Sequence, residues 1–79
     1  MESRQTKMAL YDAFAVVAQA LASGRRAELV EVLAQGERSV EDAAAEIGQS
    51  VANTSQHLRV LARAGLATRI THGRAFVHK

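Results

Sequence analysis

Residues 39–66, SVEDAAAEIGQSVANTSQHLRVLARAGL, decide how the chain folds. Ser39 stands where a helix begins, its hydroxyl able to accept from a first-turn amide, and Glu41 and Asp42 bring negative charge to the positive helix end. The pattern predicts a helix over 40–47. Gly48, Gln49 and Ser50 then form a connection of the length that joins the two helices of a helix-turn-helix, with Gly48 suited to a left-handed helix exit. Ser50 caps a second helix from Val51 to about Ala64. Helical spacing puts Val51, Ser55, Leu58 and Leu61 or Ala62 on a packing face, and Ala52, Asn53, Gln56, Arg59 and Arg63 on a free one.

The free face carries the functional expectation. Asn and Gln can bond a base edge through two atoms, and Arg can do the same to guanine, so Asn53, Gln56 and Arg59 are the residue types that major-groove readout requires. The small residues Ser50, Ala52 and Thr54 near the helix start would let the backbone approach closely. Charge follows the same division. Beyond Glu46 there is no acid, while Arg59, Arg63, Arg69, Arg74 and Lys79 follow; the earlier cations are matched by Glu2, Asp12, Glu28, Glu31 and Glu37, and Glu41, Asp42 and Glu46 add negative charge. A solvated polar face or a modest charge excess is common in small domains. Cap, glycine turn, second cap, apolar stripe and basic flank in this order point to double-stranded DNA.

Outward from this stretch, Met1 to about Ala22 read as one helix after a polar start. Leu10, Phe14, Val17 and Leu21 recur at helical spacing and Tyr11 widens the stripe, so this broad apolar face needs a cover, either the chain's own second helix or a second subunit. Ser23 caps a helix from Gly24 to about Gln35 with Leu29, Val30, Val32 and Leu33 on its buried side. Arg25 and Arg26 sit unfavourably in its first turn and can pair with neighbouring acids, Arg25 with Glu28 for example; contact of Arg26 with a phosphate or a second subunit is the less economical reading. After Gly65 the period changes, and Ala67 to Lys79 read as a β-hairpin turning at His72-Gly73-Arg74, with His78 opposite roughly Thr68. The expected fold is therefore mostly α with a small β-hairpin, a winged helix-turn-helix, in a single domain over 1–79. Arg74 and His72 at the wing tip can reach phosphates or a minor groove.

The sequence of 79 residues, 48% hydrophobic, allows one small core of Ala, Val and Leu, aromatics being limited to Tyr11, Phe14 and Phe76. Without cysteine it holds no disulfide, thiol sensor or thiolate metal site. Asp12, Gln19, Arg25 and Arg26 interrupt the only candidate membrane span; Asp12, Gln19 and the region's own helical period weaken a signal-peptide reading of Ala13 to Ala22, so a cytoplasmic location is expected.

Ser50 to Leu58, then Leu61, Gly65-Leu66 and the Gly73-Arg74 wing, resemble the arsenical-resistance repressor (ArsR/SmtB-type) family of small bacterial winged-helix regulators, over nearly the whole chain. Ala34 to Arg38 followed by Ser50 to Leu58 looks most like the branch whose members often carry a rhodanese-like domain after the DNA-binding part. The resemblance implies a homodimer paired through the first helix, with Leu10, Tyr11, Phe14, Val17 and Leu21 at the interface, and repression relieved by an effector. The set of candidate DNA contacts is Gln49, Ser50, Ala52, Asn53, Thr54, Gln56, His57, Arg59, Arg69, His72 and Arg74. Two departures stand out. The 39–47 segment lacks the cysteines of metal-sensing members, and the sequence stops at Lys79, before the helix that follows the wing in the family, which suggests a truncated chain.

No cofactor or metal is expected, because the three histidines do not converge, and no nucleophile-base pair or phosphate loop is recognisable. A non-enzyme is expected. The competing function is a winged-helix protein-interaction module without DNA binding, which would interrupt the free face with acids or large hydrophobes; only Val60 fits that description.

Overall fold

The computed structural model describes residues 3–70 and 74–77, with the backbone alone for 69, 70 and 77. Helices α1 (Arg4–Ala20) and α2 (Gly24–Ala34) precede a short strand β1 (Arg38–Ser39), the helices α3 (Val40–Ile47) and α4 (Val51–Arg63), and the strands β2 (Ala67–Ile70) and β3 (Arg74–Val77). Each of these helices starts on a serine. The amide of Asp42 donates to Ser39 Oγ at 3.0 Å and that of Asn53 to Ser50 Oγ at 3.0 Å. Ser23 and Ser3 serve α2 and α1 in the same way, through the amides of Arg26 and Thr6. Such a cap is worth about 1 kcal/mol because it satisfies an otherwise orphaned amide. Gly48 ends α3 with φ 68° and ψ 36°, the left-handed conformation the turn demands.

The core lies where α2, α3 and α4 meet over the sheet. Leu29, Val32 and Leu33 of α2, Val40, Ala43 and Ile47 of α3, Leu58 and Leu61 of α4, and Ala67 and Ala75 of the strands are buried together. Burial of each full-size aliphatic side chain contributes about 1.5–3 kcal/mol, and Ala43 and Ala44 let α3 sit close to its neighbours. The packing face of α4 is shifted from the expected one. Val51, at the helix tip, is 45% exposed, and Thr54 is buried in line with Leu58 and Leu61.

The wing is a three-stranded antiparallel sheet in the order β1-β3-β2. Thr68 pairs with Phe76, two residues from the expected partner, and Arg38 and Ser39 pair with Ala75 and Arg74. A two-residue strand has no alternation to betray it in sequence. The expected turn at His72-Gly73, and His78, lie outside the described residues.

Helix α1 contributes only Ala20 to the core. Leu10, Tyr11 and Phe14 are 64%, 60% and 72% exposed, Leu21 is also exposed, and Val17 is half-buried, so α2 does not cover this apolar face. The molecule measures 47 × 23 × 19 Å, elongated by a helix of about 25 Å that projects from the body. A groove of about 410 Å³ lies between α1 and the end of α4, lined by Val16, Ala20, Val60 and Ala64 among others. Arg26 holds the base of α1: its Nε donates to the Ala20 carbonyl at 2.6 Å and its Nη2 to the Gln19 carbonyl at 3.4 Å. A cation at the negative helix end is favourable, which answers the apparent misplacement of Arg26 in the first turn of α2. Arg25 pairs with Glu28 at 3.4 Å, as its spacing predicts.

Candidate nucleic-acid interface

The free face of α4 is built by the cap at one end and the buried stripe behind it. Ser50, Ala52, Asn53, Gln56 and Arg59 are exposed, and Gln49 and His57 are half-buried. Thr54 leaves this set: with 0% exposure it faces the core and offers nothing to a ligand outside. Spacing alone missed this because Val51 and Thr54 compete for one packing stripe, and the turn before α4 decides between them.

The polar side chains on this face bond to one another. Arg59 donates from Nε and Nη2 to the Gln56 oxygen at 3.2 and 2.9 Å, and Asn53 Nδ2 donates to Gln49 Oε1 at 3.4 Å. Gln49 in turn donates from Nε2 to the Gly48 carbonyl at 3.1 Å, which ties it to the turn. The first turn of α4 has no acid, so its positive end is left for an anion.

Two acids of the α2–α4 region hold arginines nearby. Arg74 Nε lies 2.9 Å from Glu37 Oε1, and Arg38 Nε lies 2.9 Å from Glu46 Oε2. Arg38 also donates from Nη1 to the carbonyls of Gly36 and Glu37, stitching the segment before α3 to the helix itself. Arg74, expected at the wing tip, thus has an acidic neighbour that its position in the sequence did not reveal. Both partners are well over a third exposed, so the bond is readily exchanged for another anion. Arg69 lies on β2 with its side chain outside the described residues, as does the whole of His72. Burial, with the positive charges of Arg26 and Arg25 adding to it, pushes the His57 imidazole below its ordinary range.

Among the described residues no three His, Cys, Asp or Glu side chains are placed to hold a metal ion, and no helix is long and apolar enough to cross a membrane.

Residues 23–69, from the cap of α2 into β2, match the family described as "Bacterial regulatory protein, arsR family". The chain belongs to this family. It is 45% identical over 60 residues to the HTH-type transcriptional regulator Rv0324 of Mycobacterium tuberculosis, and this match covers 76% of the chain and 26% of that protein. The chain thus spans about a quarter of the length of that curated relative. The solution structure of the homodimeric winged helix-turn-helix DNA-binding domain of Mb0332 from Mycobacterium bovis, a possible ArsR-family transcriptional regulator, superposes with a TM-score of 0.88 at 36% identity, covering 99% of this chain and 74% of that one. The crystal structure of Rv0081 from M. tuberculosis superposes at 0.78 with 30% identity, covering 89% and 74% of the two chains. The fold is a winged helix-turn-helix of the family, as the 39–66 stretch predicts.

Sequence reasoning missed Glu37 and Arg26. Glu37 looked like one of several charge-matched acids, and only the pairing of β1 with β3 brings it beside Arg74. The signal for Arg26 was its electrostatic misplacement in α2.

Proposed function

We propose that residues 1–79 form the DNA-binding domain of a homodimeric, sequence-specific transcriptional repressor of the cytoplasm, released by an effector and without catalytic activity of its own. The observation that carries this reading is the exposed face of α4, where Asn53, Gln56 and Arg59 stand together beyond a capped, acid-free helix start. These are the side chains that read base edges, and the rigid stripe of Leu58 and Leu61 behind them fixes their direction. Gln49, Ser50, Ala52 and His57 flank the groove, and Arg69, His72 and Arg74 of the wing contact the backbone of the duplex.

The apolar face of α1 supports the dimer. Leu10, Tyr11, Phe14 and Leu21 are exposed and contiguous at helical spacing, which is costly in an isolated chain and favourable against a second copy. The winged helix-turn-helix DNA-binding domain of the relative Mb0332, its fragment 1–100, is homodimeric. A two-fold dimer presents its α4 helices about 34–36 Å apart, so the operator is an imperfect palindrome with half-sites one helical turn apart.

The test is a fluorescence-anisotropy titration of promoter-proximal and random duplexes at several salt concentrations, with the oligomeric state measured by sedimentation. The reading predicts a dimer that prefers one duplex, with affinity falling about 0.9 log units per phosphate contact for each log unit of salt. A dimer that binds neither duplex overturns it.

A further inference from the structure

We infer that Gln56 and Arg59 act as one donor-only reading head that selects guanine over adenine at a single position of each half-site. The inference rests on the reading of α4 as the recognition helix and goes beyond it by naming the base.

A glutamine amide has one acceptor oxygen and two N–H donors, and it reads adenine by using both kinds of atom, the oxygen taking the N6 hydrogen while the nitrogen donates to N7. Here the oxygen is spent. Arg59 Nε and Nη2 converge on Gln56 Oε1 at 3.2 and 2.9 Å. A guanidinium carries donors only, so the amide can face it only with its oxygen, which fixes the amide's orientation. Two charge-assisted bonds from one edge of the guanidinium hold that oxygen turned toward Arg59. What the pair offers outward is the Nε2 hydrogens of Gln56 and the remaining guanidinium hydrogens of Arg59. Both side chains are exposed, so these donors face solvent and the groove of a docked duplex.

A surface of donors matches guanine best, since thymine offers a single acceptor, O4, beside a methyl group. Guanine presents two acceptors, N7 and O6, in the major groove; adenine sets a donor beside its N7, and cytosine offers a donor as well. Adenine would force N–H against N–H. Asn53, one helical turn earlier, provides the internal contrast. It spends one amide hydrogen on Gln49 and keeps its oxygen and a second hydrogen, the donor–acceptor combination that suits adenine. The two amides of α4 therefore differ in what they can read because their neighbours differ.

The experiment is a selection of bound duplexes from a random pool by the intact chain and by Gln56→Ala and Arg59→Ala, followed by anisotropy on the selected site. Gln56 and Arg59 are exposed, and circular dichroism checks that each variant keeps its helices. The expected result is a G·C pair at the one position whose preference Gln56→Ala weakens. Replacing that guanine with 7-deazaguanine or with adenine lowers affinity by about 5- to 150-fold. Arg59→Ala frees the Gln56 oxygen and turns the preference at that position from guanine to adenine. An A·T pair at that position in the wild type, no position responding to Gln56→Ala, or a guanine preference that survives Arg59→Ala each overturns the inference while leaving DNA binding intact. Failure of the wild type to select any duplex overturns the DNA-binding reading together with it.

Discussion

Replacing Thr54 with valine separates two roles that its position in the sequence confounds. Thr54 is 0% exposed, and its Oγ1 has no hydrogen-bond partner among the described residues. An unpaired buried hydroxyl costs about 1–3 kcal/mol of desolvation, which a methyl group in its place does not incur. Valine keeps the β-branch and differs little from threonine in helix propensity, so backbone terms nearly cancel. Slight mismatch of the added methyl against Leu58 and Leu61 offsets part of the gain. The net expectation is a stabilisation of about 1 kcal/mol, which for a domain of this size raises the melting temperature by about 4–8 °C. Thermal unfolding followed by circular dichroism measures it, alongside an anisotropy titration in which DNA affinity stays within about twofold of wild type. A fall in melting temperature of similar size would show that the hydroxyl is satisfied in the folded protein. A loss of DNA affinity at unchanged stability would return Thr54 to the interface.

Other expectations follow from the same geometry. Phe14→Glu places a charge on the exposed face of α1 and leaves the core untouched; sedimentation should show a dimer weakened about 100-fold or more, since a phenylalanine on each of two copies is lost, with helicity retained. Arg26→Ala removes both bonds to the end of α1, and hydrogen exchange of the amides near Ala20 should quicken while those around Leu58 and Leu61 stay protected. His57 has its folded pKa lowered, by burial first and then by Arg26 and Arg25, so the unfolded chain takes up a proton near pH ~6.5 before the folded one does. Its stabilisation is therefore full above that pH and is lost as pH falls toward the folded value; melting temperature should drop between about pH 7.5 and 5.5, and His57→Gln should remove that part of the drop. Arg74→Ala should weaken binding to cognate and random duplexes alike and lower the salt slope by about 1, with less than about 1 kcal/mol of stability lost because its pairing with Glu37 is exposed.

Much of the fold was legible because its punctuation is local. Ser23, Ser39 and Ser50 are caps in the structure as their positions suggest, Gly48 takes the left-handed turn, and the change of period after Gly65 marks β2. The parts that were not legible depend on residues distant in sequence. The pairing of Arg38 and Ser39 with β3 requires the wing to fold back on the segment before α3, and the Glu37–Arg74 bond follows from it. The choice of Thr54 over Val51 for the core depends on where α3 ends relative to α4. For the candidate site, residue types on the free face of α4 were readable from periodicity. Their mutual bonds were not, because whether Arg59 extends into solvent or folds back on Gln56 is a choice of rotamer that spacing permits but does not dictate.

In the proposed function the free face of α4 meets DNA. Amide resonances of the intact chain, followed by NMR as a selected duplex is added, test it most directly. The largest shifts are expected at Ser50, Asn53, Gln56 and Arg59, with further shifts at Arg74 on β3 and small ones at Tyr11 and Phe14 on α1. Shifts concentrated on α1 and α2, with the 50–59 segment unchanged, would contradict it.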